Sequence, residues 1–304
     1  MDNKNKKMLF IYNPHSGKTV IKNNISDIVD IFVKNKYDVS IYPTQYRGAA
    51  TDKIVECGEK YDLIVCAGGD GTLNETVNGI MQLEKRPAMG YIPTGSTNDF
   101  AYGLSIPSDV QKAAEVAVKG TSFKLDIGRF NDKNFVYIAA FGAFTEVSYN
   151  TSQDMKNILG HQAYIVEGIK QITKIKDYHV KLILDDEVID DKFVYAMITN
   201  ADSAGGFKGI TGKHVSLNDG LFEVTLVKRI EDLSVLNDVL SVLAGLKDEA
   251  ESVIKRKVSR VVVESKKAIP WTTDGEYAGA HKKVEIAIEN KAINIKSKKS
   301  GGGK

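Results

Sequence analysis

Cysteine is scarce in this 304-residue chain. There are two, Cys57 and Cys66, and neither lies in a ligand-spaced cluster. That argues against a disulfide framework and a cysteine-rich zinc site, and it fits a reducing compartment. A charge imbalance is also missing: the formal net charge is +2, too balanced to imply a nucleic-acid partner. No apolar run approaches the roughly 18 residues of a membrane-spanning helix. The stretch MDNKNKKMLFIYN carries lysines but only a short apolar run before Asn13-Pro14. It lacks the longer apolar core and small-residue cleavage site of a signal peptide. These absences predict a cytoplasmic protein. No internal repeat is visible, and 42% apolar with 26% charged residues is an ordinary globular composition, which leaves out disordered and fibrous classes.

What is present suggests two domains, at roughly 100–200 residues each. Through residue 125, strand-like segments (MLFIYN, DVSIYPT, DLIVCA, AMGYIPTG) alternate with helix-like ones at 21–36, 49–60, 72–82 and 108–119. Such alternation predicts a parallel sheet covered by helices, and the near-continuous apolar strands fit burial on both faces. The texture then changes. FKLDIGRFNDKNFVYIAAFG and HVKLILDDEVIDDKFVYAMITN read as hairpins turning at 131–133 and near Asp185-Asp186. LFEVTLVK, VSRVVVES and KVEIAIEN are further strands, interrupted by helical patterns at 154–175 and 231–247. The expected division is an α/β domain over 1–125, a β-rich, sandwich-like domain over 126–296, and a disordered tail over 297–304.

The junction Gly68-Gly69-Asp70-Gly71 ends an apolar strand and opens an amphipathic helix. Backbone N–H groups at a helix start, with glycine allowing close approach, suit a phosphate. A carboxylate facing the same space would repel polyphosphate unless a divalent cation intervened, so Asp70 implies Mg²⁺. Neither of two common phosphate motifs fits. A Walker A loop ending in Gly17-Lys18-Thr19 has Tyr12 where its first glycine belongs, and the dinucleotide fingerprint has Asn74 where its last glycine belongs. A tight turn with an exposed acid is the plainer alternative. Two neighbours weigh against it: NPHSGK follows the first strand and PTGSTNDFA the fourth, so three glycine-bearing polar loops converge on one sheet edge, where nucleotides bind.

Gly68-Gly69-Asp70-Gly71-Thr72 with Leu73-Asn74-Glu75 and the downstream PTGSTNDFA resembles the soluble diacylglycerol kinase family, which includes sphingosine, ceramide and related bacterial lipid kinases. The likeness runs from Asn13-Pro14 to TTDGEYAG. Gly-Gly-Asp-Gly-Thr alone is shared with NAD kinases and phosphofructokinases; Leu-Asn-Glu and Gly-x-x-Asn-Asp sharpen the match. The resemblance implies a three-layer nucleotide-binding domain followed by a β-rich domain, with ATP bound between them. Asn13, Pro14, His15, Ser16 and Gly17 would contact the nucleotide, as would Gly69, Asp70, Gly71, Thr72, Leu73, Asn74 and Glu75. Thr44 with Gly48 fits the family's Thr-x-x-x-Gly element, and Ser96 keeps the hydroxyl of a family threonine. Asp99 would join Asp70 near the reacting phosphate; capping a helix that starts at Phe100 is its other reading. Glu276 would be the general base, although Asp274-Gly275-Glu276 by itself reads as a hairpin turn. A structural Mg²⁺ site is implied around Asp219, Leu221 and Ser216, where serine replaces an expected acid; a plain turn is the alternative.

The implied substrate is a membrane lipid, with diacylglycerol leading and phosphatidic acid the product. Sphingoid bases, monoacylglycerol and phosphatidylglycerol stay open, as do an NAD kinase-like soluble-metabolite kinase and a non-catalytic nucleotide-binding regulator. A lipid substrate implies transient contact with the membrane surface, and a homodimer is compatible. Basic clusters at 255–257, 266–267, 282–283 and the final lysines are candidate docking points, or simply solvated faces. Residues 137–149 read as an acyl-chain cleft or as plain core.

Overall fold

The computed structural model describes residues 5–95, 98–143, 176–201, 203–204, 207–208, 215–230, 232–243, 246–247 and 249–298. The chain divides into two units: one takes in the chain through Ile127, Leu217–Asp219 and the chain from Glu289, the other Gly128–Ser216 and Gly220–Ile288.

The first unit alternates β1 (Lys6–Tyr12), α1 (Val20–Lys34), β2 (Tyr37–Pro43), α2 (Ala49–Cys57), β3 (Leu63–Gly68), α3 (Asp70–Met81), β4 (Ala88–Pro93), α4 (Asp99–Gly103) and α5 (Val110–Lys119), and begins β5 (Thr121–Phe130). The strands lie in the order β4-β3-β1-β2, all parallel. Every residue of β3 is buried, as a central strand covered on both faces requires. Ile21, Ile28 and Phe32 form the buried stripe of α1, and Phe32 meets Phe10 edge-on at 5.3 Å. Gly79 lets α3 approach α2, since a Cβ there would stand 2.8 Å from Ile54 Cβ. Two helices end earlier than the sequence pattern suggests. Lys36 turns left-handed at φ 63° and starts the entry to β2, and the residues after Cys57 tighten into a 3₁₀ turn over Gly58–Lys60.

In the second unit β5 ends and pairs with β6 (Lys133–Phe135), with Phe130 opposite Lys133. There follow β7 (Ile138–Gly142), β8 (Tyr178–Leu184), β9 (Glu187–Thr199), the short pair β10 (Ser203–Ala204) and β11 (Phe207–Lys208), β12 (Phe222–Lys228), α6 (Leu233–Leu243), β13 (Val253–Val258), β14 (Arg260–Thr273) and β15 (Glu276–Ser297). Pairing is antiparallel, in the order β13-β12-β9-β7-β14-β15, and β8 pairs with the outer halves of β9 and β14. One side of these strands gathers Phe135, Phe141, Phe193, Phe222 and Trp271 into the main core. On the other side Val239 and Val242 of α6 pack with Val194, Tyr195 and Met197. Ala139 and Phe141 are core, so the plain reading holds for the described part of 137–149. Residues 144–149 and the helical pattern at 154–175 lie outside the described residues.

The chain's end departs from the expected division. Ile295 of β15 pairs parallel with Met89 of β4, so this last strand finishes on the sheet of the first unit. Ser297, expected to open a disordered tail, is instead fully buried and donates to the Leu104 carbonyl at 2.6 Å. Residues 299–304 lie outside the described residues.

Candidate functional site

The carboxyl ends of β1, β3 and β4 share an edge of the parallel sheet, and their loops are joined by direct bonds. After β1, Asn13 donates its N–H to the Ala67 carbonyl and accepts the His15 N–H on Oδ1, both at 2.9 Å, folding Pro14 and His15 into a turn. Ser16 Oγ donates to the Thr94 carbonyl at 3.2 Å and accepts the Thr94 hydroxyl at 2.9 Å. Gly17 has φ +61°, and a Cβ there would fall 2.3 Å from the Thr94 oxygen. Thr94 in turn donates its N–H to the Gly68 carbonyl at 2.9 Å.

The glycines after β3 have separate causes. A Cβ on Gly68 would meet Thr72 at 2.4 Å. Gly69 and Gly95 approach backbone to backbone: a Cβ on Gly95 would stand 2.8 Å from Gly69 Cα. Gly71 is exposed in the first turn of α3, and a Cβ there would meet no heavy atom within 4 Å, so the space in front of that turn is open. The helix opens at Asp70, two residues earlier than the periodicity predicts, so the acid lies in its first turn. Tyr91 donates its hydroxyl to the Gly68 carbonyl at 3.2 Å. Burial, then the nearby Asp70 and Cys66, hold its ionisation well above the ordinary tyrosine range.

Leu73 is core, and Thr72 is buried with its carbonyl accepting the Thr76 hydroxyl. The Asn74 side-chain and backbone oxygens accept from Asn78 Nδ2. Thr44 is buried and held by its N–H on the Tyr12 carbonyl at 2.9 Å. Glu75 is directed to the neighbouring loop. Its carboxylate accepts the Gly48 N–H at 2.7 Å and the Ala50 N–H at 3.3 Å, and its carbonyl accepts the Thr51 hydroxyl at 2.7 Å. This acid therefore caps the start of α2 and ties it to α3. Ser96 lies outside the described residues. Asp99 is the first residue of α4; the cap position belongs to Asn98, left-handed at φ 52°, so Asp99 is not the cap of a helix starting at Phe100. Asn98 Oδ1 accepts the Gly95 N–H and its Nδ2 donates to the Gly95 carbonyl.

In the second unit, Thr273 pairs with Glu276 across a two-residue turn in which Asp274 and Gly275 have φ 49° and 81°. Both central residues being left-handed matches a type I′ hairpin, and Glu276 opens β15 with its residue exposed. Asp274 is a site feature that sequence reading missed. It is 6% exposed, and its carboxylate accepts the N–H groups of Val136, Tyr137 and Ile138 at 2.7, 3.0 and 3.2 Å. The local signal was only that of a turn residue.

Of the residues assigned to a structural metal, Ser216 and Leu221 are half-buried and Asp219 is exposed, around a turn with Gly220 at φ 79°. Among the described residues no group of three or more His, Cys, Asp or Glu side chains is arranged to hold a metal ion. The basic clusters are partly spent: Arg256 pairs with Glu187, Lys257 with Glu223, and Lys283 with Glu264.

Comparison with known proteins gives a consistent result. Residues 7–130 match the diacylglycerol kinase catalytic domain family, and residues 139–296 match the YegS C-terminal NAD kinase beta sandwich-like domain. The chain is 34% identical over 276 residues to the diacylglycerol kinase of Bacillus subtilis (strain 168), covering 90% of this chain and 91% of that one. The corresponding figures for the diacylglycerol kinase of Staphylococcus carnosus (strain TM300) are 35% identity and 90% of each chain. A crystal structure of a candidate diacylglycerol kinase from Bacillus anthracis str. Sterne superposes with a TM-score of 0.81 at 25% identity, covering 96% of this chain and 97% of that one. The fold is accordingly an α/β nucleotide-binding domain followed by a β-sandwich domain.

Proposed function

We propose that this chain, which belongs to the diacylglycerol kinase family, transfers the γ-phosphoryl group of ATP to the free hydroxyl of diacylglycerol, giving phosphatidic acid and ADP. The observation that carries this reading is the clasp of three loops at one sheet edge: Ser16 on Thr94, Thr94 on Gly68, and Gly95 against Gly69. Such a clasp fixes the backbone around the open space before the first turn of α3, where an anion is favoured electrostatically. Residues 13–17 and 69–74 are assigned to the nucleotide and its phosphates. Thr44 and Gly48 are assigned with them, Ser96 contributes its hydroxyl, and Glu75 keeps the Thr44–Gly48 loop in position.

Phosphoryl transfer needs positioning and charge neutralisation more than covalent catalysis. Asp70 and Asp99 suit Mg²⁺ as hard oxygen donors, and the Asp70 carboxylate, in a helix first turn that faces open space at Gly71, tolerates polyphosphate there only with a cation between them. Bound Mg²⁺ would neutralise charge on the transferring group. Glu276 takes the hydroxyl proton as that oxygen bonds to the γ-phosphorus and the bond to the ADP oxygen breaks. The turn 216–221 offers one carboxylate and neutral oxygens, a donor set suited to weak Mg²⁺ binding at most. For bilayer contact we assign the bulge where Ser265 Oγ donates to the Lys267 and Lys282 carbonyls, because Lys266, Lys267 and Lys282 are all exposed there.

The deciding experiment supplies purified protein with labelled Mg·ATP and mixed micelles of diacylglycerol, with a panel of other lipids and NAD in parallel tubes. Labelled phosphatidic acid from the native protein, and little from Glu276→Gln, supports both the substrate and the base. Label in another lipid reassigns the substrate, and label in NAD alone overturns the lipid reading.

A further inference from the structure

We infer that Asp274 is the positioning residue for Glu276, a role that rests on Glu276 acting as the base proposed above. Three restraints converge on the hairpin tip that presents Glu276. Trp271 is fully buried, with Phe141 and Phe130 edge-on at 4.8 and 5.3 Å, which anchors the end of β14 in the core. Thr272 Oγ1 donates to the Ala140 carbonyl at 3.4 Å, and β14 pairs with β7 as far as Thr273 opposite Ala139. Beyond Thr273 the ladder runs out and Asp274 takes over. Its N–H donates to the Ile138 carbonyl at 2.9 Å while its carboxylate gathers three successive N–H groups from Val136, Tyr137 and Ile138.

That arrangement does more than close a turn. A two-residue turn of this kind needs only two residues that tolerate positive φ, which Asn or Gly at 274 would also supply. A buried carboxylate costs desolvation free energy, and only multiple charge-assisted bonds offset it. The Val136, Tyr137 and Ile138 amides join β6 to β7, so the carboxylate holds the tip of the β14–β15 hairpin to a segment 136–138 residues away in sequence. Glu276 follows two residues later, in register with Thr273. Its backbone is thereby fixed from the β7 side, and its carboxylate is presented from a rigid point. A general base works only within hydrogen-bond reach of its proton, and displacements of about 1 Å cost about a hundredfold in rate.

Asp274→Asn keeps the left-handed turn but replaces one acceptor oxygen by an amide donor, which faces an N–H. The test is a double-mutant cycle in the micelle assay: Asp274→Asn and Gly275→Ala, each alone and with Glu276→Gln. Gly275→Ala meets no atom within 4 Å and acts only through its φ of +81°, so it keeps the test standing if Asp274→Asn does not fold. The expected result is a fall in kcat of about tenfold to a hundredfold for each variant. The KM for ATP stays within about twofold. The Trp271 emission stays native, and the residual rate of Glu276→Gln falls no further when either change is added. Near-native kcat for Asp274→Asn overturns the assignment. So does a further loss in the Glu276→Gln background, because a residue acting only through Glu276 has nothing left to lose there. Full activity of Glu276→Gln itself refutes the base and is read separately from the cycle.

Discussion

The Thr94 carbonyl oxygen stands 2.3 Å from the place where a Cβ on Gly17 would lie, too close for any side chain there. With Ser16 Oγ on the same carbonyl, the loop after β1 and the loop after β4 behave as one piece. The contact explains a glycine that no Walker motif accounts for: it is set by a neighbouring loop 77 residues on, together with a φ of +61°.

Gly17→Ala should therefore weaken nucleotide binding more than it weakens the fold. The loop must move away from Thr94 and its new residue must hold a left-handed backbone, a strain of about 1–3 kcal/mol. Isothermal titration with ATP and thermal melting of the same variant separate the two effects. A variant that melts lower but binds ATP normally would show that the clasp serves stability alone.

Glu75 gives a complementary case. Glu75→Ala removes the acceptor from the Gly48 and Ala50 amides at the start of α2, a loss comparable to removing a helix cap, about 0.5–2 kcal/mol. Glu75→Gln retains one oxygen and should recover part of it. Urea midpoints at constant slope give the stability change. If Glu75→Ala raises the KM for ATP while the melting point holds, the acid contacts nucleotide directly and its capping is secondary.

Much of this arrangement was legible beforehand, for local reasons. β1, β3 and β4 are apolar runs that stop at glycine or polar loops, so their parallel arrangement and shared edge follow from alternation, while their order in the sheet does not. What was not legible depends on partners far away in sequence. Nothing near Asp274 announces amides at 136–138, and nothing near Glu75 announces the amides of Gly48 and Ala50. β13, Val253–Val258, escaped because its VIKRKV pattern puts three charges in the middle of a strand. KVEIAIEN reads as a strand in either unit; only the pairing of Ile295 with Met89 assigns its continuation to the first. Asn98 as the cap before α4 was hidden by Asp99, whose residue type is equally suited to that place.

The exposed lysines at the β14–β15 bulge give a surface prediction. Replacing Lys266, Lys267 and Lys282 together by Glu should reduce binding to vesicles containing anionic lipid, each lysine being worth about 1 kcal/mol near such a surface. Turnover of a water-soluble short-chain diacylglycerol should be unchanged. Co-sedimentation with vesicles at low and high salt reads the first effect. Unaltered binding would move the docking surface elsewhere.

Magnesium supplies another test. Asp70→Asn keeps the shape of the first turn of α3 but removes its charge. Half-maximal turnover should then need several-fold more Mg²⁺, with ATP binding in the absence of metal undiminished or improved, because the repulsion between carboxylate and phosphate is gone. Tighter metal-free binding with lost turnover supports the assignment of Asp70 to the cation. An unchanged magnesium titration rejects it.

Cys66 and Tyr91 contribute to the behaviour at high pH, together with Tyr195 and Tyr37, whose hydroxyls burial also raises. Burial pushes the Cys66 thiol up from 9.0 to about 12, and burial with the Asp70 charge raises the Tyr91 hydroxyl well above 10.0. Both groups are neutral in the folded protein and ionise first in the unfolded chain. Their contribution is complete below the unfolded values and is lost as pH rises toward the folded ones. Thermal melts should hold level up to about pH 9 and then fall, with the thiol acting between about 9 and 12. Cys66→Ala should flatten the first part of that fall, leaving a decline that begins near 10 from tyrosine. A matching chemical check is alkylation of the native protein, in which half-buried Cys57 reacts and buried Cys66 is protected until unfolding. Parallel pH profiles for the native protein and Cys66→Ala would mean that the thiol ionises alike in the folded and unfolded states, and would reject its part in the decline.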